Sequence, residues 1–253
     1  MIPKIIHYCW LGEDALPEKL QACIDSWKKF LPDYEIRLWN TKTFDVNSTQ
    51  WTREAFEQKK YAFASDYIRF YALYHFGGIY LDSDIEVLKS YNDFLDQKFF
   101  VGFEYAGLPE AATLGVQKGL SWVKACLDWY EGRPFIRQDG SLHIAIAPLI
   151  VQMGLETTYA TKIVDTEGIQ ELDGGRLYPI EYFSPKNSFT DKIEQTEKTY
   201  SIHHYNSGWQ KQGFITRLKK TIHASLICIL GKPKYNSLIY KIRKKTSRKK
   251  IYL

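Results

Sequence analysis

The chain has 253 residues, of which 45% are hydrophobic and 15% aromatic, which is enough for the core of one large domain or two small ones. Residues 1–197 carry 20 basic and 29 acidic side chains, whereas residues 198–253 carry 14 basic and no acidic ones. The chain is therefore expected to fold unaided, and its basic C-terminal segment predicts an anionic partner.

Cysteine spacing and the length of apolar runs indicate the cellular compartment in which the protein is expected. The four cysteines form no C-x-x-C pair, so they predict neither a zinc knuckle nor a disulfide framework, and we expect buried thiols in a reducing compartment. The first residues lack a basic segment followed by a long apolar one, and no apolar run reaches about 18 residues. Neither a secretory signal nor a membrane span is predicted, and the expected location is cytoplasmic.

The first 40 residues predict a β-α-β unit. Residues 2–9 are an apolar run typical of a buried strand, residues 17–30 have helical spacing, and residues 34–39 alternate as a second strand. Such a unit implies a parallel strand pair with a right-handed crossover, and hence an α/β fold. Trp10 follows the first strand at the edge where α/β sheets bind ligands, so it is either a stacking surface for a planar base or a core tryptophan.

Residues 62–89 are the segment around which the chain is organised. Ser65 is predicted to cap a helix that ends at a double glycine. Asp66 and Arg69 are three residues apart, so they share a helical face near the predicted N-terminus, where an anionic ligand would also meet free backbone N–H groups. These two side chains are expected to act on one ligand.

Asp82 and Asp84 follow a short apolar strand, residues 79–81, that leaves the double glycine. On an extended chain their carboxylates lie about 6 to 7 Å apart, a spacing that suits two oxygen ligands of one hard divalent cation. An aspartate pair with bound Mg2+ or Mn2+ can stabilise a diphosphate leaving group. A lone Asp-x-Asp is usually a solvated turn, but the preceding helix and strand favour the metal site.

The remainder of the first 202 residues predicts further sheet and helix. Residues 85–88 and 99–103 are expected to continue the sheet, and residues 119–131 to form a packing helix. Residues 133–147 lack a clear period and are expected to form a loop that could face an acceptor. Residues 177–202 alternate short apolar runs with turn formers.

A second polar cluster follows these runs. His204, Ser207 and Trp209 are spaced so that an imidazole and a hydroxyl could complete the coordination begun by Asp84, while the indole N–H donates to a phosphate. A His-His pair alone is more often a surface feature.

The C-terminal tail differs in kind from the rest. Residues 216–230 hold an apolar run of about ten residues preceded by basic ones, too short to span a bilayer, and residues 235–250 add a second basic segment. Peripheral attachment to an anionic membrane is the expected role, and a solvated tail without a partner is the alternative. Nucleic acid is not expected, because no recognition motif accompanies the charge.

Four segments resemble, in order, the sugar-binding Asp-x-Asp glycosyltransferases of family 32, whose relatives include fungal mannosyltransferases and the glucosylating domains of large clostridial toxins. The segments are residues 2–12, 32–40, 59–69 and 203–209. The resemblance covers about residues 2 to 210. It implies a GT-A-like, Rossmann-like nucleotide-binding mixed sheet flanked by helices in residues 1–210, followed by a basic helical tail in residues 211–253.

The resemblance also implies roles for single residues. Asp84 is expected to bind Mn2+ or Mg2+ with His204 and Ser207, and Asp82 to contact the ribose or the water shell of the metal. Asp66 and Arg69 are expected to hold the hydroxyls of the donor sugar, and Trp10 to stack on uracil. The residues expected to contact the nucleotide sugar are Trp10, Ser65, Asp66, Arg69, Tyr80, Asp82, Ser207 and Trp209.

The function implied is retaining transfer of a sugar from a UDP-sugar to a glycan or lipid-linked acceptor, in surface polysaccharide assembly at the inner face of the plasma membrane. Front-face attack by the acceptor would need no dedicated carboxylate base. Two alternatives stay open, namely a toxin-like transferase that modifies a host protein and a catalytically silent protein that binds nucleotide sugars or glycans.

Overall fold

The computed structural model describes most of the chain. The described residues are 1–105, 107–166, 168–206, 222–223, 225–227, 229–231, 234–235, 237–239 and 241–242. In chain order, the strands are β1 (Ile5–Cys9), β2 (Glu35–Trp39), β3 (Gly78–Leu81), β4 (Ile85–Val87), β5 (Phe99–Glu104), β6 (Leu108–Val116), β7 (Gln170–Leu172), β8 (Gly175–Tyr178) and β9 (Ser201–His203). The helices before residue 160 are α1 (Glu18–Phe30), α2 (Gln50–Glu57), α3 (Tyr61–Phe76), α4 (Ser121–Asp128) and α5 (Ala147–Tyr159).

A seven-stranded mixed sheet, in the order β2-β1-β3-β6-β5-β8-β7, forms the centre of the fold. The predicted β-α-β unit is confirmed, because β1 pairs with β2 in parallel register from Ile5 opposite Glu35 to Cys9 opposite Trp39. Strand β3 lies on the other side of β1 and is also parallel to it. The carboxyl ends of β1 and β3 therefore lie at the same edge of the sheet, which is where α/β sheets bind ligands.

Helices cover the sheet on both faces. Tyr80 of β3 packs into a core shared with α2 to α5, whereas its neighbours Ile79 and Leu81 pack into a second core with α1. This alternation along β3 is expected of a strand buried on both faces. Among the described residues, no helix is long and apolar enough to cross a membrane.

Strand β6 was not predicted, although it lies at the centre of the sheet. It runs antiparallel to both β3 and β5 and makes the sheet mixed. Pro109, Glu110 and Gly115 give this segment little intrinsic strand preference, so packing rather than propensity determines its conformation. At Gly115, an added Cβ would lie 1.9 Å from the Phe100 ring, so the strand pair requires a glycine there.

The prediction that residues 85–88 continue the main sheet is wrong. Strand β4 instead pairs antiparallel with β9 in a separate two-stranded sheet, with Ile85 opposite His203. Helix α1 holds this small sheet in place, because the Trp27 indole donates a hydrogen bond of 2.7 Å to the Ile85 carbonyl. The pairing brings the chain near residue 203 next to Asp84.

The prediction that Ser65 caps a helix is also wrong. Helix α3 begins at Tyr61, and the Ser65 hydroxyl donates to the Ala62 carbonyl one turn earlier within the helix. Asp66 and Arg69 therefore lie inside the helix, where the backbone N–H groups are already bonded, and not at its free N-terminus. The predicted end is confirmed, since Gly77 closes the helix with a φ of +66°.

The described part of the tail packs against the domain. Tyr235 is fully buried, and Tyr235 and Ile239 form a small core with Tyr105. Two other tail side chains, Ile229 and Leu238, are 77% and 40% exposed. The predictions for residues 211–221 and 243–253 of the tail lie outside the described residues.

Candidate active site

Arg69 is the centre of a buried charge cluster on α3. Its Nη2 lies 2.9 Å from Asp82 Oδ1 and 3.2 Å from Asp66 Oδ1, and the guanidinium packs 4.6 Å from the centre of the Tyr80 ring. The Arg69 side chain is only 5% exposed. A guanidinium gripped by two carboxylates and an aromatic face has one preferred orientation, so Arg69 is a preorganised positive group.

The helical spacing that suggested a shared face for Asp66 and Arg69 is confirmed by their contact. Burial raises the pKa of Asp66 above the usual range of a carboxyl, although the charge of Arg69 opposes this shift. Both Asp66 and Tyr80 lie below the surface. The structure thus places Tyr80 beneath Arg69, where it supports the guanidinium.

Asp82 and Asp84 leave the carboxyl end of β3 in a tight turn, with a bond of 3.0 Å from the Ile85 N–H to the Asp82 carbonyl. Asp82 stays partly exposed, at 30%, and contacts Arg69 through one oxygen. Asp84 is buried, and its Oδ2 accepts a bond of 2.7 Å from the Asn206 N–H. The two aspartates therefore face one space between the main sheet and the small sheet.

The predicted histidine ligand was His204, but the structure turns His203 toward the aspartates. His203 Nε2 lies 3.5 Å from Asp84 Oδ1, whereas His204 Nε2 contacts Glu86 Oε2 at 2.8 Å. Successive side chains alternate in direction along an extended strand, so adjacent histidines at the end of β9 cannot face the same group. The pairing of β9 with β4 selects His203.

Asp82, Asp84 and His203 each offer one ligand atom, and these atoms lie within 4.8 Å of one another. Ligands around one divalent cation at about 2.1 Å are roughly 3 to 4 Å apart, so a small closure would suffice. Two carboxylates and an imidazole form a chemically suitable ligand set for such an ion. These three residues fit a divalent metal.

Sequence reasoning missed Glu110, a fully buried residue of β6. Its Oε1 lies 3.2 Å from His203 Nδ1 and accepts a hydrogen bond from the Ser184 hydroxyl. Burial alone would lower the pKa of His203, but the charges of Asp84 and Glu110 outweigh it and raise the pKa to about 9. No sequence signal pointed to Glu110, because β6 itself was not predicted.

Of the four other residues predicted to contact the nucleotide sugar, the structure describes Trp10 and Ser65. Trp10 follows β1 at the same sheet edge as Asp82, is partly exposed, and donates from Nε1 to the Asp14 carbonyl at 2.8 Å. Ser65 is half-buried within α3. Ser207 and Trp209 lie outside the described residues. The three described cysteines are free thiols, two buried and one partly buried.

Comparison with known proteins agrees with the resemblance read from the sequence. Residues 17–101 match the family described as "Glycosyltransferase sugar-binding region containing DXD motif". Inositol phosphoceramide mannosyltransferase 1 of Schizosaccharomyces pombe is 26% identical over 140 residues, 53% of this chain and 39% of that protein. A mannosyl phosphorylinositol ceramide synthase of Saccharomyces cerevisiae is 37% identical over 92 residues, 33% of this chain and 23% of that protein.

Two further matches differ in coverage. An uncharacterized glycosyltransferase of Acanthamoeba polyphaga mimivirus is 27% identical over 195 residues, 74% of this chain and 77% of that protein. Among solved structures, PaToxG Glycosyltransferase matches with a TM-score of 0.47 and 20% identity, over 63% of this chain and 70% of that chain. The chain thus spans about two fifths of the length of the S. pombe relative. Residues 17–101 are therefore similar to the glycosyltransferase sugar-binding regions that contain the DXD motif.

Proposed function

We propose that the protein is a metal-dependent glycosyltransferase of GT-A type that moves a hexose from a nucleoside diphosphate to a glycan or lipid-linked acceptor. The observation that carries this proposal is the convergence of Asp82, Asp84 and His203 beside the buried cation of Arg69. The match to a sugar-transferring family supports it. Retaining transfer from a UDP-sugar and a place in surface polysaccharide assembly are the finer parts of the proposal.

Asp82, Asp84 and His203 would hold a divalent cation, which when bound supplies positive charge that stabilises a diphosphate leaving group. Two carboxylates suit hard ions such as Mg2+ and Mn2+, whereas a nitrogen ligand is less favourable for Mg2+. We therefore propose Mn2+ as the preferred ion. With one oxygen of Asp82 already bound to Arg69, the other is available to the metal.

Arg69 and Asp66 would bind the donor sugar next to this cation. Arg69 Nη2 is held by Asp66 and Asp82, so the guanidinium has a fixed position beside the candidate metal site. Its fixed positive charge would also stabilise the departing phosphate, because a preorganised charge acts strongly in a site shielded from water. We propose that leaving-group stabilisation carries most of the catalysis, and we assign no carboxylate as a base.

Release of nucleoside diphosphate from a panel of nucleotide sugars, with and without Mn2+, tests the proposal. The panel should include mannose donors as well as UDP-sugars, since two of the curated relatives are named as mannosyl-transferring proteins. We expect Mn2+-dependent release with one donor, and a loss of about 100-fold or more in Asp84→Asn at unchanged circular dichroism. Asp96→Asn, which changes an exposed carboxylate, is the matched control. Wild-type turnover in Asp84→Asn would remove the mechanism.

We propose further that the tail holds the protein at an anionic lipid surface, where a lipid-linked acceptor would be found. Ile222, Ile229, Leu238 and Ile242 are all exposed by 40% or more, on a segment that has basic but no acidic residues. Apolar side chains inserted among anionic headgroups, with about 1 kcal/mol for each nearby lysine or arginine, favour peripheral attachment. The curated relatives named for a ceramide lipid support such an acceptor.

Co-sedimentation with vesicles tests the lipid proposal. We expect the full chain to bind vesicles that contain 30% phosphatidylserine, to bind pure phosphatidylcholine much less, and to dissociate as salt is raised. The double change Ile229→Ser and Leu238→Ser should weaken binding without altering donor hydrolysis. Equal binding to both kinds of vesicle, or to neither, would refute attachment through this surface.

A further inference from the structure

We infer that Glu110 is a positioning residue that fixes the His203 ring for the cation, an inference that rests on the proposed metal site. The two edges of this ring face different carboxylates. Nε2 lies 3.5 Å from Asp84 Oδ1, within the cluster that could hold an ion, and Nδ1 lies 3.2 Å from Glu110 Oε1 on the opposite side. A carboxylate on the far nitrogen of a ligating histidine fixes its tautomer and orientation.

The surroundings of Glu110 hold it toward His203. Ser184 donates a hydrogen bond to Glu110 Oε1, the same oxygen that faces the imidazole. Across the carboxylate, Gly102 of the neighbouring strand leaves room, since a Cβ there would lie 3.4 Å from Glu110 Oε2 and 2.9 Å from the Phe183 ring. The register of β5 and β6 also shifts between Val101 and Phe103, beside this contact. The local backbone thus accommodates a carboxylate in the core.

Packing alone does not account for a glutamate at position 110. It is fully buried, and its Oε2 has no hydrogen-bond partner among the described residues. A buried carboxylate with an unsatisfied oxygen costs folding free energy unless a charge partner offsets it. The described groups that offset it are the Ser184 hydroxyl and the His203 ring. The cost is understandable if this ring must be held for a ligand.

The adjacent histidine provides a matched comparison within the same structure. His204 also contacts a glutamate, with Nε2 at 2.8 Å from Glu86 Oε2, but the Glu86 side chain is 41% exposed. His204 does not belong to the acidic cluster of Asp82, Asp84 and His203. The Glu86 contact is therefore a surface pair, and its loss should leave metal binding unchanged.

The test is a measurement of Mn2+ binding to the purified full chain at one fixed pH, in which the EPR signal of the free ion is monitored. Removing a carboxylate behind a ligating histidine typically costs 10–100-fold in metal affinity, and we expect Glu110→Met to raise the Mn2+ Kd by about that factor. Glu110→Gln should lose less, because an amide oxygen at the position of Oε1 can still face Nδ1. Glu86→Met, the control, should change the Kd by less than about twofold.

A spectroscopic reading separates orientation of the ring from general damage to the fold. With 15N-labelled histidine, pulsed EPR of bound Mn2+ should show coupling to an imidazole nitrogen in the wild type and in Glu86→Met, and weaker coupling in Glu110→Met. Should Glu110→Met fail to fold by circular dichroism, the nitrogen coupling is measured in Glu110→Gln instead. A wild-type Kd with unchanged nitrogen coupling in these variants would overturn the role of Glu110.

Asp84→Asn distinguishes this failure from failure of the proposed function. If Asp84→Asn abolishes Mn2+ binding while the Glu110 variants keep wild-type affinity and coupling, only the inference about Glu110 falls. If Asp84→Asn itself binds Mn2+ as tightly as the wild type, the metal site is misplaced and both proposals fall.

Discussion

His7 is predicted to make the protein sensitive to mild acid. This residue of β1 is fully buried, and both of its ring nitrogens already have partners. Nε2 lies 2.8 Å from the Gly77 carbonyl, to which it donates, and Nδ1 accepts from the Trp39 indole at 3.1 Å. A second proton on the ring would have to displace the indole N–H, so the neutral form is required in the folded state.

The size of the effect follows from the pKa of His7, which is lowered from 6.5 to about 4. Burial is the main cause, and the Arg37 charge adds to it, while the Gly77 carbonyl and the Glu35 charge oppose it. Because the unfolded chain binds the proton between pH 6.5 and 4 and the folded chain does not, stability falls as pH falls through this window. The cost reaches about 3 kcal/mol at pH 4.

Urea denaturation of the wild type and of His7→Gln between pH 4 and 7.5 measures this cost. Glutamine can still donate and accept but does not titrate, so its curve retains the contributions of all other groups. We expect the wild type to lose about 3 kcal/mol more than His7→Gln between pH 7 and pH 4, whatever their difference at pH 7. Parallel curves for the two proteins would refute the assignment of a neutral His7 with both ring nitrogens hydrogen-bonded.

Two further predictions concern the Arg69 side chain and the packing of Gly115 in the sheet. Arg69→Lys keeps the charge but loses the planar guanidinium that packs on the Tyr80 ring. The kcat/KM for donor hydrolysis should therefore fall about 10-fold or more, with only a small change in the Mn2+ Kd from EPR titration. Equal kcat/KM for lysine and arginine would show that charge alone suffices. Gly115→Ala places a Cβ 1.9 Å from the Phe100 ring. Thermal denaturation should therefore show a loss of about 1–3 kcal/mol in the free energy of unfolding, or no folded protein. A neutral result would mean that the Phe100 ring can move aside.

The parts of the fold that could be predicted are those specified by local sequence. The β-α-β unit follows from helical spacing in residues 17–30 between two short apolar segments, and the structure has it in parallel register. The end of α3 follows from a double glycine, since Gly77 and Gly78 both have positive φ. At Gly78 the backbone also approaches closely, because a Cβ would lie 2.6 Å from the Ile5 carbonyl.

The start of α3 shows why a local signal can mislead. Ser65 is a good capping residue by type, but the residues just before it, including Ala62 and Ala64, also favour a helix. The helix therefore extends back to Tyr61 and absorbs the serine. The predicted pairing of Asp66 with Arg69 is still confirmed, because a spacing of three residues gives contact at any position within a helix.

The histidine that joins the aspartates could not be chosen from sequence. Two adjacent histidines on a strand face opposite sides, and only the pairing partner decides which side is inward. That partner is β4, which sequence reasoning had placed in the main sheet. The carboxylate behind the ring comes from β6, whose composition gave no strand signal. The missed half of the site thus depends entirely on long-range contacts.

The candidate metal site spans two sheets, and this division bears on how it is held together. Asp82 leaves the last residue of β3 in the main sheet, whereas His203 belongs to β9 in the small sheet, with Asp84 in the turn between β3 and β4. Glu110 of β6 reaches His203 from the main sheet, so a side-chain contact already joins the two sheets without an ion. A cation held by all three ligands would add a second link across the same gap. Binding of the donor and the metal would then connect residues more than 100 positions apart in the chain, so the site is complete only when both sheets are in place.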